Sequence, residues 1–330
     1  MSVDLDALFG KMEDLRVAVV GDVMLDIYWW GQVDRISPEA PVPVVSLKKK
    51  ETRLGGAANV ALNLRALGAQ VDIYSVTGND EDAQCLRKLL KERQIKDTGV
   101  MQSDGRITTT KSRIISRHQQ MLRLDAEMTD DLTEAESDAF LERLVPALEA
   151  APPDILILED YNKGVLTAKV ITAVLKACSR LHIPTCVDPK LKNFLHYKGV
   201  TIFKPNLKEV KEGLGIPMVN TGRESLRKVH AQLEKALGHQ VTLITLSEHG
   251  IFYEQGQEAA VLPPHLRNIA DVSGAGDTVM ATAAVVWALT KDVPLMAAIS
   301  NIAGGLVCEE VGVVAIDRQK LLAECKRLLR

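Results

Sequence analysis

From Asp154 onward, short aliphatic runs alternate with stretches of helical period, and few folds accept that rhythm. Asp154 to Asp160, Ile183 to Asp188, Thr201 to Pro205 and Gln240 to Leu246 read as buried strands. Thr167 to Leu181, Leu207 to Leu214 and Arg223 to Leu237 read as the intervening helices. Such alternation implies an α/β fold with a mostly parallel sheet and helices on both faces. Arg16 to Asp22 and Val71 to Val76 add strands; Gly55 to Gly68, Glu81 to Arg93 and Leu132 to Glu149 add helices. A hairpin is expected through Gly250 to Tyr253. Helices are then expected over Ala275–Leu289, Pro294–Val311 and Arg318–Leu329.

Two segments break the rhythm. Residues 28–47 hold Trp29, Trp30, three prolines and several valines, a composition for edge strands rather than a core helix. Residues 107–124 alternate Thr, Arg, Ile and Gln and carry Lys111, Arg113, Arg117, His118 and Arg123. Together they predict a small β lid over the strand ends. A two-stranded flap is not self-supporting, so lids of two copies are expected to cover each other in a homodimer. The simplest organisation is a single domain over residues 1–330 with these two insertions.

A chain of 330 residues with 46% apolar and 25% charged side chains is ordinary for a soluble globular protein. The net charge of −3 gives no reason to expect a nucleic acid or an anionic membrane as partner. The five cysteines form no Cys-x-x-Cys pair and the seven histidines no His-x-x-x-His, so disulfide and zinc sites are not expected. Without a signal peptide or a spanning apolar stretch, the expected location is cytoplasmic.

The chemistry-bearing motif is Ser273-Gly-Ala-Gly-Asp-Thr278, leading straight into a helix. Gly274, Ala275 and Gly276 leave room for backbone N–H groups to approach a ligand, and the helix start adds roughly half a positive charge. Asp277 in the first turn can accept a proton from a hydroxyl. An anion cradle beside a carboxylate is what phosphoryl transfer to an alcohol needs. The same residues also suit a helix cap after a turn, and spacing alone does not separate the two. Gly-x-x-x-x-Gly-Lys-Ser/Thr is absent, and Gly21-Asp-Val-Met-Leu-Asp26 is not a dinucleotide fingerprint.

Asp271-Val-Ser-Gly-Ala-Gly-Asp-Thr278 resembles the C-terminal signature of the ribokinase (PfkB) family of carbohydrate kinases. Gly55-Gly-Ala-Ala-Asn-Val-Ala61 resembles its di-glycine signature, Gly21-Asp-x-x-x-Asp26 its sugar-binding start, and Lys204-Pro-Asn-x-x-Glu209 its Asn-x-x-Glu element. Thr245-Leu-Ser-Glu-His-Gly250 stands where the family has Thr-x-Gly-x-x-Gly, with Ser247 and Glu248 departing from it. The matches run in family order over nearly the whole chain and imply a ribokinase-like fold. They imply Asp277 as base and Gly274, Ala275 and Gly276 as anion hole. Asp22, Asp26, Gly55, Gly56 and Asn59 would grip sugar hydroxyls. Asn206 and Glu209 would position Mg²⁺-bound phosphates through water, with Lys190 near the phosphates of ATP. Ser247, Gly250, residues 265–269 and Asn301 would border adenine and ribose. A monovalent cation is compatible with the family.

Asp34-Arg-Ile-Ser-Pro-Glu-Ala-Pro-Val-Pro-Val-Val45 and Glu159-Asp-Tyr-Asn-Lys-Gly-Val-Leu166 resemble a narrower branch. Its members phosphorylate D-glycero-D-manno-heptose 7-phosphate at the anomeric hydroxyl in bacterial ADP-heptose synthesis for lipopolysaccharide. Larger members fuse a nucleotidyltransferase; with no His-x-x-His by Arg330, the resemblance is to the stand-alone kinase. A 7-phosphate needs cations, and Lys111, Arg113, Arg117 and Lys163, with Asp160 at a strand end, are the candidates. The competing expectations are another sugar or sugar-phosphate kinase of this family and a non-catalytic sugar-phosphate sensor.

Overall fold

The computed structural model describes residues 4–117, 119–217 and 220–329. After a short helix α1 (Leu5–Lys11), strand β1 (Arg16–Gly21) runs through Asp22 directly into β2 (Val23–Ile36). β3 (Pro43–Gly56) returns and passes without a linker into α2 (Ala57–Leu67). Then come β4 (Gln70–Gly78), α3 (Glu81–Glu92), β5 (Lys96–Ser103), β6 (Thr110–Ser116), β7 (Gln119–Ala126) and α4 (Glu134–Ala150). The α/β rhythm follows with β8 (Ile155–Glu159), α5 (Ala168–Arg180), β9 (Thr185–Asp188), β10 (Ile202–Phe203), α6 (Leu207–Leu214), α7 (Arg223–Leu237) and β11 (Val241–Thr245). β12 (Ile251–Gln255), β13 (Glu258–Leu262), α8 (Ala275–Thr290), α9 (Val293–Val307) and α10 (Arg318–Leu328) complete the order.

Nine strands form the central sheet in the order β13-β12-β11-β10-β9-β8-β1-β4-β5. All pair in parallel except β12 and β13 at one edge. Side-chain alternation splits each central strand between two cores. Val17, Val19, Ile155 and Ile157 join one cluster; Ala18, Val20, Leu156 and Leu158 join the other. Burial on both faces explains why these strands read as unbroken aliphatic runs. α8 is buried continuously from Asp277 to Trp287, packed between α2 and α9, which accounts for its apolar residues on every side. Truncating a fully buried side chain such as Leu64 of α2 to alanine costs about 2–5 kcal/mol.

The lid is a separate four-stranded sheet, β3-β2-β6-β7. Its strands are longer than a proline-rich flap suggested: β2 and β3 each run 14 residues. Pro38 and Pro41 fall in the connecting loop and Pro43 opens β3, positions that require no ladder donor. The predicted hairpin is displaced: Gly250 turns β11 into β12, and the β12–β13 turn lies at Gly256. α9 stops at Val307 rather than Val311, where the chain enters a turn with Gly312 at φ 77°. β5 (Lys96–Ser103) lacks a clear alternation, so its sequence does not announce a strand. No helix among the described residues is long and apolar enough to cross a membrane.

Candidate active site

The carboxyl ends of β1, β8 and β9 stand abreast, with Gly21 opposite Glu159 and Glu159 opposite Asp188. Strand parity aims three of their neighbours at α8. Glu159, Asp188 and Lys204 each lie two residues beyond Ile157, Cys186 or Ile202, all members of the core that contains α8. Asp277 sits in the first turn of that helix. One carboxylate oxygen each from Glu159, Asp188 and Asp277 lie within 4.8 Å of one another.

Asp277 is buried and its carboxylate is held from two sides. Tyr161 donates its hydroxyl to Oδ1 at 2.6 Å, and Asn59 donates Nδ2 to Oδ2 at 2.7 Å. Burial pushes the Asp277 carboxyl up to about 6, while the Tyr161 and Asn59 hydrogen bonds hold it down. Asn59 of α2 thus holds the carboxylate in this structure. Behind it, Asn63 donates to Asn59 Oδ1 at 3.1 Å, and its own Oδ1 accepts from Thr278 Oγ1 and the Ile316 amide, both at 3.0 Å. This Asn pair ties α2 to the first turn of α8.

Gly274 caps α8 at φ 78°, where a Cβ would lie 2.8 Å from Asn59 Nδ2; only glycine meets both demands. Ser273 donates its amide and hydroxyl to Asp271 Oδ1 at 3.0 and 2.9 Å. Gly276 faces the cations: its Cβ position is 3.7 Å from Lys204 Nζ. Lys204 is fully buried and pairs with Asp188 at 2.7 Å. Burial works against the charge on Lys204, but Asp188 wins and its affinity for the proton is raised. Lys190 bridges Asp188 and Glu209. Asp188 loses charge affinity by burial yet is held below the usual range by Lys190 and Lys204. Glu159 is different. Neither oxygen has a partner among the described residues. Burial, then Asp188 and Asp277, push its carboxyl far above the ordinary value.

Several expected sugar ligands also hold groups of the protein itself. Asp22 accepts the amides of Tyr161, Lys163 and Val165 at 2.8–3.0 Å. Asp160 has the opposite strand parity to Glu159 and accepts from Tyr197 Oη at 2.6 Å and the Asn162 amide at 2.8 Å. Both shape the 160–166 loop that presents Tyr161. Asp26 pairs with Arg113 across β2–β6. Gly55 makes room for it, since a Cβ there would lie 2.1 Å from Asp26 Oδ2. A side chain at Gly56 would strike the Asp22 carbonyl at 2.5 Å.

The lid cations separate by position. Lys111 of β6 lies over the Tyr161 ring at 5.6 Å and is half-buried beside Lys163, which pairs with Glu127 at 2.8 Å. Arg113 and Arg123 share a face as register partners. Arg117 is exposed in the turn at the lid tip with φ 56°, roughly 20 Å along the strand from Lys111 at about 3.3 Å per residue. His118 lies outside the described residues.

On the opposite side, Asn206 and Glu209 form a reciprocal cap on α6, with Asn206 N to Glu209 Oε2 at 2.8 Å and Glu209 N to Asn206 Oδ1 at 2.9 Å. Asn301 donates to the Pro263 carbonyl at 2.8 Å and so tethers the 263–274 segment. Leu266, Ile269 and Val272 of that segment are exposed, while Arg267 is buried against Glu309 and Glu324. Gly250 permits the close approach of the Leu262 carbonyl, and Ser247 precedes it in a short 3₁₀ turn.

Residues 14–320 match the family described as pfkB family carbohydrate kinase. The chain belongs to the pfkB family of carbohydrate kinases. It is thus an enzyme that phosphorylates a sugar. It is 37% identical over 322 residues to the bifunctional protein HldE of Citrifermentans bemidjiense, covering 97% of this chain and 65% of that protein. The bifunctional protein HldE of Pseudomonas aeruginosa is 38% identical over 323 residues, covering 96% and 65%. The chain therefore spans just under two thirds of the length of these relatives. Among solved structures, phosphofructokinase-2 from Escherichia coli with substrates and products superposes with a TM-score of 0.79 at 17% identity, covering 95% of this chain and all of that one. Arabidopsis thaliana ribokinase with ribose and ATP gives 0.70 at 19%, covering 93% and 98%. These likenesses establish the ribokinase-like fold. Within this pfkB kinase, Tyr161, Asn63, Glu159 and Lys204 are site residues that motif reading did not single out.

Proposed function

We propose that this pfkB kinase transfers the γ-phosphoryl group of ATP to the anomeric hydroxyl of D-glycero-D-manno-heptose 7-phosphate, giving the β-1,7-bisphosphate of bacterial ADP-heptose synthesis. The observation that carries the reading is the buried Asp277 carboxylate at the start of α8, beside a glycine cradle and under a lid bearing cations. In this reading Asp277 accepts the proton of the attacking hydroxyl, Tyr161 and Asn59 hold it in line, and the Gly274–Gly276 amides receive the charge of the moving phosphoryl group. Lys204 neutralises charge at the same cradle. Lys111 and Lys163 take the sugar phosphate, and Asp26 with Arg113 orients the ring.

The donors around the Asp188 side are carboxylate oxygens, the ligand type that suits Mg²⁺. The orphaned oxygens of Glu159 fit such a cation. Asp188, Glu209 and Glu159 would hold it, the last two through water or directly. Bound with ATP, the ion supplies charge neutralisation and orientation of the phosphates.

The apolar lid residues Ile36, Val42, Leu47, Leu122 and Leu124 are exposed in the single chain. They support a homodimer in which two lids cover each other.

The direct test is turnover on heptose 7-phosphate against ribose, fructose and fructose 6-phosphate. At least about tenfold higher kcat/KM on the heptose phosphate is expected, the discrimination that one well-placed charged contact provides. A preference for an unphosphorylated sugar would sink the substrate assignment and leave the family.

A further inference from the structure

The root of the lid is fastened to the loop behind the glycine cradle. Asp26 and Tyr28 share one face of β2, and Arg53 of β3 and Arg113 of β6 are their cross-strand neighbours there. The Tyr28 ring is fully buried between the two guanidiniums, 4.8 Å from Arg53 and 5.4 Å from Arg113. Its hydroxyl accepts the Val313 amide at 2.9 Å. Arg53 donates Nη1 to the carbonyls of Val311 at 2.9 Å and Val313 at 3.1 Å. Between them Gly312, at φ 77°, lies flat on the phenol; a Cβ would be 2.7 Å from Tyr28 Cζ.

That loop is in turn part of the cradle. The Gly312 amide donates to Asp271 Oδ2 at 2.9 Å, and Asp271 Oδ1 holds Ser273. The Val313 side chain backs Gly274 at 3.3 Å from its Cβ position. A continuous set of contacts thus runs from the Asp26–Arg113 pair through Tyr28 and Arg53 to residues 311–313, Asp271 and the start of α8. The lid sheet also has its own ladder, and α8 its own core.

We propose that Tyr28 and Arg53 are positioning residues that couple acceptor binding under the lid to the placement of the phosphoryl cradle. The proposal rests on the site assignment above. A sugar that engages Asp26 biases the Arg113–Tyr28 contact, and the clasp passes that bias to residues 311–313. By reciprocity the nucleotide strengthens sugar binding by the same factor. The coupling orders the cradle when an acceptor is present, which disfavours transfer to water.

The test is a binding cycle on the whole chain by calorimetry. ADP with Mg²⁺ is titrated with and without saturating acceptor, a pair that cannot react. In the wild type the acceptor should tighten ADP by about fivefold or more, the usual lower range for such coupling. In Tyr28→Phe, which keeps the ring and loses only the hydroxyl, the ratio should fall below about twofold while ADP affinity without acceptor stays near wild type; the Val313 amide loses its buried acceptor, so the melting temperature drops modestly. Arg53→Lys, which keeps charge but not the paired donors, should do the same and guards against a folding defect in the first variant. An unchanged ratio in both variants, or no coupling in the wild type, overturns the proposal. If heptose 7-phosphate is not turned over, the cycle is run on the acceptor that is, so failure of the substrate reading and of the clasp are separate results.

Discussion

The hydroxyl of Tyr161 donates to Oδ1 of Asp277 at 2.6 Å, and this bond stabilises the ionised carboxylate that proton abstraction requires. Burial alone would carry Asp277 further into the neutral form. Tyr161→Phe removes the donor, so the Asp277 carboxyl should titrate higher than about 6. The acid limb of the kcat profile should move to higher pH, with a larger loss at pH 6 than at pH 8.5. A limb that stays in place would separate Tyr161 from the titration.

Asp277→Asn keeps the size of the side chain and can retain both hydrogen bonds, since a phenol can accept as well as donate. If Asp277 is the general base, kcat should fall at least about a hundredfold. ADP affinity by calorimetry should change little. Loss of nucleotide binding along with turnover would point to a collapsed cradle instead.

The same substitution should stabilise the protein at neutral pH. Asp277 is raised from 3.8 to about 6 in the folded chain, so the folded state binds this proton more tightly than the unfolded one. Its favourable contribution is complete below about 3.8 and is lost as pH rises through about 6. Asparagine carries no such loss. The stability difference between variant and wild type should therefore grow from pH 5 to pH 8, to a ceiling of about 3 kcal/mol at roughly 1.4 kcal/mol per pH unit. Chemical denaturation at the two pH values measures it; a difference that shrinks with rising pH contradicts the sign.

Strand alternation and the glycine-rich helix start made the body of this fold legible, because a parallel sheet buried on both faces writes its strands as plain aliphatic runs. Parity also held information that motif reading left unused. Counting by two from Ile157, Cys186 and Ile202 places Glu159, Asp188 and Lys204 toward α8 and sends Asp160 to the other side. Tyr161 continues the same count of two but lies past the end of β8, where strand parity no longer fixes direction; its position depends on the loop that Asp22 builds from three amides contributed about 140 positions later. No local pattern announces a bond of that span. The lid strands are longer than their sequence suggests because prolines at loop and strand-start positions look like prolines that interrupt a strand.

Lys204→Met leaves Asp188 with Lys190 alone, at 3.4 Å, in a buried setting. Removing one partner of a buried pair costs about 3–5 kcal/mol, and Lys190 should hold the loss to the lower part of that range. The denaturation midpoint should fall, and Lys204→Met with Asp188→Leu should recover stability but not turnover. A single variant of wild-type stability would show that Lys190 suffices.

Leu122→Asp with Leu124→Asp places charge on the exposed apolar side of β7. Sedimentation should give a dimer for the wild type at micromolar concentration and a monomer for the variant. A wild-type monomer removes the lid as an interface.

β2 runs from Val23, opposite Gly56 of β3, to Ile36 at the lid tip, with register shifts against β3 at Trp30/Gly31 and Val33/Arg35. From Asp26 to Ile36 it extends roughly 30 Å at about 3.3 Å per residue, so a tilt of about 5° at its base moves the tip by roughly 3 Å. The strand is a lever whose short arm carries Asp26 and Tyr28 and whose long arm carries the apolar tip. Whatever grips the tip acts with mechanical advantage on the sugar end, and whatever the sugar does at the base is magnified at the tip.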